Sequence, residues 1–272
     1  MVLINGLPDD KIAISDRGLQ YGDGLFETMV YRDGTIEFID AHFARLIDGC
    51  RRLNIEFAEA EKLSSELSIV CQSLTDNDAI IKVIITRGRG GRGYLATSGV
   101  EPTRIISTYP LPTYPDHYSQ TGIKVRLCTH TLSENVALAG IKHLNRLDQV
   151  IARSEWHDSD IAEGIMLDCA GNVIEGTMSN VFIVKAGKLF TPMLDKSGVA
   201  GVMRAQIISL AAELNISVFE TNVHLEDFMA ADEIFITNSV IGLWPVYEID
   251  NTVYVVGPVT QNLQDVLQQA KK

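Results

Sequence analysis

The chain has 272 residues, 46% of them hydrophobic and 21% charged, enough apolar material for one large core or two modest ones. Its formal net charge of -12 excludes nucleic acid and anionic membrane surfaces as general partners, because the overall field repels both. Any anionic ligand must therefore meet a local basic cluster.

The segment Ile12 to Arg32 opens with an irregular turn, Ser15-Asp16-Arg17-Gly18, and continues as a strand from Leu25 to Tyr31. Arg32-Asp33-Gly34 then reads as a hairpin turn into Ile36 to Ile39. Asp40 suits an N-cap, and Phe43, Leu46, Ile47, Cys50 and Leu53 recur at three- and four-residue steps, which predicts an amphipathic helix. A second helix runs through Leu63, Leu67 and Val70, then an isoleucine-rich strand, Ala79 to Thr86. The strand Thr103 to Tyr109 runs into Pro110, Pro112 and Pro115, whose rings break helix and sheet alike. An interdomain linker is expected at 110–122, between a small domain at 1–109 and a larger one at 123–272.

Beyond the linker, strands are expected near Ile123 to Thr129, Gly164 to Cys169, Val181 to Val184, Leu189 to Thr191, Ser217 to Thr221, Glu233 to Thr237 and Thr252 to Val256. Helices are expected at Asn145 to His157 and Val202 to Asn215. The mix is strand-heavy with few helices, which indicates an α+β fold and not a doubly wound sheet. The cysteines Cys50, Cys71, Cys128 and Cys169 form no Cys-x-x-Cys pair and read as small buried hydrophobes in a reducing compartment. With no signal peptide in Met1-Val2-Leu3-Ile4-Asn5-Gly6 and no apolar run of membrane-spanning length, the cytoplasm is the expected location. The histidines show no paired metal spacing, so no metal is expected.

Several constellations offer chemistry. Lys142 comes after the small apolar stretch Leu138-Ala139-Gly140-Ile141, where little keeps its ammonium in water. Desolvation lowers an amine's pKa, and such a lysine attacks carbonyl groups; a lysine that snorkels its charge outward fits the same residues, and taken alone they favour it. Thr86-Arg87-Gly88-Arg89-Gly90-Gly91-Arg92-Gly93-Tyr94 contains a formal G-x-G-x-x-G after a strand, yet residues 95–101 lead to Pro102 and another strand, not to a helix that could receive a pyrophosphate. The remaining reading is a flexible loop whose Arg87, Arg89 and Arg92 either clamp a substrate carboxylate or simply face solvent.

Gly198-Val199-Ala200-Gly201-Val202-Met203-Arg204 opens a helix, a position suited to a phosphate and equally to an ordinary helix start. Glu175-Gly176-Thr177-Met178-Ser179-Asn180, between two strands, is either a surface turn or a carboxylate for a protonated ring nitrogen. Arg45 lies on the Asp40 helix off its apolar stripe, where an exposed arginine is the ordinary outcome. Together, an amine, a carboxylate, an arginine and a helix N-terminus match what pyridoxal 5'-phosphate requires.

With these groups in one chain, the sequence resembles the fold-type IV pyridoxal-phosphate enzymes, which include branched-chain and D-amino-acid aminotransferases and aminodeoxychorismate lyase. The likeness runs through Asp16-Arg17-Gly18-Leu19-Gln20-Tyr21-Gly22-Asp23-Gly24-Leu25-Phe26-Glu27-Thr28, the His42-x-x-Arg45-Leu46 helix, Lys142, the Glu175 to Phe182 stretch and Gly201-Val202-Met203-Arg204. Two stretches, Thr86 to Tyr94 and Ala139 to Leu147, look most like the lyase. The resemblance implies a two-domain architecture with a small α/β sandwich-like N-terminal domain and a larger strand-rich C-terminal domain. It implies that Lys142 carries the cofactor and then acts as the base. Glu175 would pair with the pyridine nitrogen, while Arg45, the backbone N–H groups of Val202 and Met203, and the Thr237-Asn238-Ser239 turn would hold the phosphate. Arg87, Arg89 and Arg92 become candidates for the substrate's carboxylates and Thr28 for a hydroxyl contact, although Thr28 also suits a strand simply as a β-former.

Two departures stand out. Arg146 holds the place where aminotransferases of this family often have a tyrosine, and Met203 stands where many members have threonine. The implied activity is conversion of 4-amino-4-deoxychorismate to 4-aminobenzoate and pyruvate by a homodimer acting on a small-molecule substrate. A D-amino-acid or branched-chain aminotransferase of the same fold is the alternative, and a dinucleotide binder through Gly88, Gly90 and Gly93 a more distant one.

Overall fold

The computed structural model describes residues 1–58 and 60–270. They form two compact units, one of Met1–Pro112 with Ile141–Asn145 and one of Thr113–Gly140 with Arg146–Lys272. The first crossing falls in the proline-rich stretch, but the short Lys142 segment clusters with the first unit.

In chain order the first unit contains β1 (Val2–Ile4), β2 (Leu7–Pro8), α1 (Arg17–Tyr21), β3 (Gly24–Arg32), β4 (Thr35–Ile36), α2 (Ile39–Arg52), α3 (Ala60–Ser73), β5 (Asp78–Thr86) and β6 (Thr103–Pro110). Its six-stranded sheet has the order β2-β1-β6-β5-β3-β4, with every pairing antiparallel. β3 and β4 meet across Asp33 and Gly34, both at positive φ, the two-residue turn whose twist matches a hairpin. Only the start of the expected strand at Ile36 pairs, because Phe38 swings to φ 53 and caps α2. Asp40 is therefore not the N-cap; it sits inside the first turn, where its charge still favours the helix dipole. α2 packs on β3, and Leu46, Cys50, Leu63, Leu67 and Val70 of the helices meet Leu25, Met29, Ile81, Val83, Ile85 and Ile106 of the sheet in one core.

The second unit contains α4 (His117–Gln120), β7 (Ile123–Leu127), α5 (Leu147–Arg153), β8 (Ile161–Leu167), β9 (Asn172–Gly176), β10 (Asn180–Lys185), β11 (Lys188–Pro192), α6 (Val202–Glu213), β12 (Val218–Thr221), β13 (Val223–His224), α7 (Leu225–Met229), β14 (Glu233–Asn238), β15 (Gly242–Ile249), β16 (Thr252–Val253) and α8 (Pro258–Ala270). The path β10-β14-β15-β7-β8-β9 closes on itself, because Asn180 at the start of β10 pairs with Glu175 near the end of β9. Closure leaves those strands without a free edge and encloses Ile123, Val125, Ile165, Val181, Ile183, Ile234, Ile236 and Val246 in one core cluster. α6 and α8 pack on each other and on β14. Among the described residues no helix is long and apolar enough to cross a membrane.

Candidate active site

Lys142 is tied to β3 through its backbone. Phe26 N–H donates to the Lys142 carbonyl at 3.0 Å and Leu144 N–H donates to the Gly24 carbonyl at 3.0 Å. Residues 142–144 thus take the same edge of β3 that β4 occupies at Tyr31 and Arg32, so a strand-like tether stands where a helix start was expected. The Lys142 ammonium lies 4.4 Å from the centroid of the Phe26 ring, and Lys82 Nζ approaches the same ring at 5.3 Å. Strand alternation puts half-buried Thr28 on the Phe26 face of β3 and Glu27 on the other.

Arg45 meets that Glu27. Its Nε donates to Glu27 Oε1 at 2.8 Å and its Nη2 to Oε2 at 2.5 Å, while His42 Nδ1 approaches Oε2 at 2.6 Å. Glu27 is only 2% exposed. Burial by itself would raise its pKa, but the hydrogen bonds and charges of His42 and Arg45 outweigh it and hold the carboxyl below its usual range. His42 Nε2 is buried without a hydrogen-bond partner.

The three loop arginines differ. Arg87 is fastened at every nitrogen: Nε and Nη2 bind Asp23 at 2.7 and 3.0 Å, Nη2 also reaches the Leu53 carbonyl at 2.7 Å, and Nη1 the Asn54 carbonyl at 2.6 Å. Arg89 and Arg92 are exposed. Two of the glycines between them, Gly88 and Gly90, are explained by crowding, not by a nucleotide. Gly88 has φ +92 and a Cβ there would overlap the Glu101 carbonyl oxygen, and a Cβ on Gly90 would lie 2.7 Å from Arg17 Cδ. No helix opens after Gly93; the chain reaches β6 directly.

In the second unit, Glu175 is not in a turn between strands but on β9, 4% exposed. Its Oε2 accepts the Val199 N–H at 2.8 Å and its Oε1 the Gln149 amide at 3.3 Å. Arg146 sits one turn before Gln149; burial lowers its pKa, and the nearby Glu175 charge opposes that shift. Gly201 caps α6 with no side-chain acceptor, so the N–H groups of Val202 and Met203 point out of the helix end without an intrahelical partner. Asn238, at the end of β14, donates from Nδ2 to the Met178 carbonyl at 3.1 Å and accepts the Val240 N–H at 2.8 Å. Ser239 is the next residue, half-buried. Asn180 links these groups, since its Cα pairs with Glu175 on one side and Thr237 on the other.

A family model for amino-transferase class IV matches residues 24–249. The chain belongs to the class IV aminotransferase family. Within this family it is 37% identical to an aminodeoxychorismate lyase of Vibrio harveyi, over 97% of this chain and 98% of that protein. Its fold is similar to the crystal structure of 4-amino-4-deoxychorismate lyase from Pseudomonas aeruginosa, with TM-score 0.95, 43% identity and coverage of 99% and 98% of the two chains. The branched-chain amino acid aminotransferase of Escherichia coli gives TM-score 0.89 at 26% identity, over 100% of this chain and 94% of that one. These class IV relatives bear out the α+β, fold-type IV architecture expected from the sequence.

Four further residues shape the two units, and three of them, Arg17, Glu27 and Asn180, stood in the motifs without a role. Glu27 engages Arg45. Arg17, buried, donates to Asp23 at 2.8 Å and to the carbonyls of Gly93 and Tyr94 at 2.9 Å each, which fastens the glycine-rich loop. Glu163, 1% exposed, accepts the N–H groups of Gly164, Thr177 and Met178 and the hydroxyls of Thr177 and Ser179. Asn180 is the fourth. For Glu163 no spacing signal existed, since Thr177, Met178 and Ser179 lie more than a strand away in sequence.

Proposed function

We propose that the chain is a pyridoxal 5'-phosphate-dependent lyase that converts 4-amino-4-deoxychorismate to 4-aminobenzoate and pyruvate. The observation that carries this reading is the 43% identity, at TM-score 0.95, with the Pseudomonas aeruginosa lyase over nearly the whole of both chains. The donor set fits the cofactor: a buried carboxylate at Glu175 for a protonated ring nitrogen, the open N–H groups of Val202 and Met203 for a phosphate, and the amine of Lys142 for an aldehyde. Bound by these residues, pyridoxal 5'-phosphate supplies an electron sink for the carbon that bears the substrate's amino group.

Lys142 Nζ would hold the cofactor's aldehyde at rest and, once free as a neutral amine, would take the proton from that carbon. Glu175 would keep the proton on the ring nitrogen, and Arg45 with Asn238 and Ser239 would complete the phosphate contacts. The ring C–O bond then breaks with its electrons leaving on oxygen, and the departing enolpyruvate takes up a proton to become pyruvate as the ring turns aromatic. Because Arg87 is fastened at each nitrogen, Arg89 and Arg92 are the better candidates for the substrate's carboxylates. Thr28, on the Phe26 face of β3, offers its hydroxyl.

An aminotransferase is the second reading, supported by the likeness to the Escherichia coli enzyme. Arg146, at the place of the tyrosine common in those enzymes, speaks against it. A half-reaction with D-alanine or L-glutamate separates the two, whereas release of 4-aminobenzoate from aminodeoxychorismate supports the lyase. A homodimer in the cytoplasm belongs to the same proposal, and sedimentation of the purified chain tests the dimer.

A further inference from the structure

We propose that Asn180 is a positioning residue that sets the spacing between the Glu175 carboxylate and the N-terminus of α6. The inference rests on the reading that these two groups hold the opposite ends of one ligand, a ring cation and a phosphate.

The geometry is a clamp on a single residue. Val199 N–H donates to Glu175 Oε2 at 2.8 Å, and the Val199 carbonyl accepts from Asn180 Nδ2 at 2.8 Å. Both polar groups of Val199 are thereby bound to side chains of β9 and β10, two residues before Gly201 caps α6. Asn180 is itself fixed, 6% exposed, with its Cα in register with Glu175 and Thr237. Beneath it, Glu163 holds Thr177, Met178 and Ser179, so the turn that carries Asn180 has little freedom.

The same contact accounts for the glycine at 201. Its φ is -66, a value open to any residue, so backbone strain does not explain it. A Cβ at 201 would overlap Asn180 Oδ1. The side chain that holds Val199 therefore also lies against the residue that opens α6, and a change in either one moves the helix end relative to Glu175.

The test uses the full-length chain freed of cofactor and titrated with pyridoxal 5'-phosphate and, separately, with pyridoxal, which lacks the phosphate. The ratio of the two affinities reports phosphate recognition and is insensitive to a general loss of stability. In Asn180→Ala this ratio falls about tenfold, the scale of one well-placed hydrogen bond, while the pyridoxal affinity changes less. Gly201→Ala lowers the ratio similarly, and the double variant falls no further than the worse single one, because removing the Asn180 side chain makes room for the added methyl group. An unchanged ratio in both single variants, or losses that simply multiply in the double variant, overturns the proposal. Should Asn180→Ala fail to fold, Gly201→Ala alone carries the decision. Absence of any preference for pyridoxal 5'-phosphate over pyridoxal in the native chain sinks the underlying cofactor reading instead, a different outcome from failure of the clamp.

Discussion

At the scale of single residues, several groups have surroundings unusual for their type. Lys142 is one: its carbonyl accepts from Phe26 N–H, Leu144 two residues on donates to Gly24, and the lysine ammonium rests over an aromatic face. Lys142→Ala is expected to lose product formation by about a thousandfold or more, the range of a lost general base and nucleophile. The variant should keep the native thermal transition, and borohydride treatment with subsequent peptide mass mapping should find the cofactor on residue 142 of the native chain only. Glu27 is another. A buried carboxylate shared by an arginine and a histidine is costly to break, so Glu27→Ala should destabilise the chain by about 3–5 kcal/mol in urea unfolding. Its folded pKa lies below the ordinary 4.5, so its contribution is complete above pH 4.5 and is lost as pH falls through the lowered value. Glu27→Gln, which cannot titrate, should therefore show a shallower loss of stability than the native chain on acidification below pH 4.5.

At the scale of elements, the glycine-rich loop after β5 is fastened at its start by Arg87 and at its far end by Arg17. Arg17→Met removes the contacts to the Gly93 and Tyr94 carbonyls and to Asp23. If Arg89 and Arg92 bind substrate carboxylates, this variant raises KM several-fold with a smaller change in kcat, which steady-state kinetics measures; equal effects on both would place the loop outside substrate binding. Elements were unequally legible in the sequence. The α2 stripe and the isoleucine-rich β5 announce themselves by periodicity, and both are present. α5 runs only from Leu147 to Arg153, inside the expected Asn145 to His157, and residues 142–144 ahead of it pair with β3, a non-local contact that no local pattern records. α8 carried a usable signal, Val259, Leu263 and Leu267 at four-residue steps, masked by its many glutamines. Glu175 reads as a turn residue beside Gly176 and Thr177, yet closure of the sheet at Asn180 extends the strand through it.

At the scale of the whole molecule, two units with separate cores make the cysteines useful reporters. Cys50 in the first unit and Cys128 in the second are both buried, and burial pushes each thiol up to about 12. Cys169 is exposed and Cys71 half-buried, contrary to the expectation that all four are buried. Under native conditions a thiol reagent should label Cys169 first, with Cys50 and Cys128 reacting only as their own units unfold; mass spectrometry of partly labelled chains reads this directly. Rapid native labelling of Cys50 or Cys128 would contradict the packing described.

The candidate residues were legible as types and motifs, but their grouping within each unit depends on contacts between distant segments, such as Arg45 with Glu27 or Val199 with Asn180. The most direct measurement is a time course of the purified chain with 4-amino-4-deoxychorismate, monitoring 4-aminobenzoate and pyruvate together. The account predicts that the two products appear in equal amounts with the native chain and are not formed by Lys142→Ala. No 4-aminobenzoate from authentic substrate, with amino-group exchange between D-alanine or L-glutamate and a 2-oxo acid instead, would contradict it.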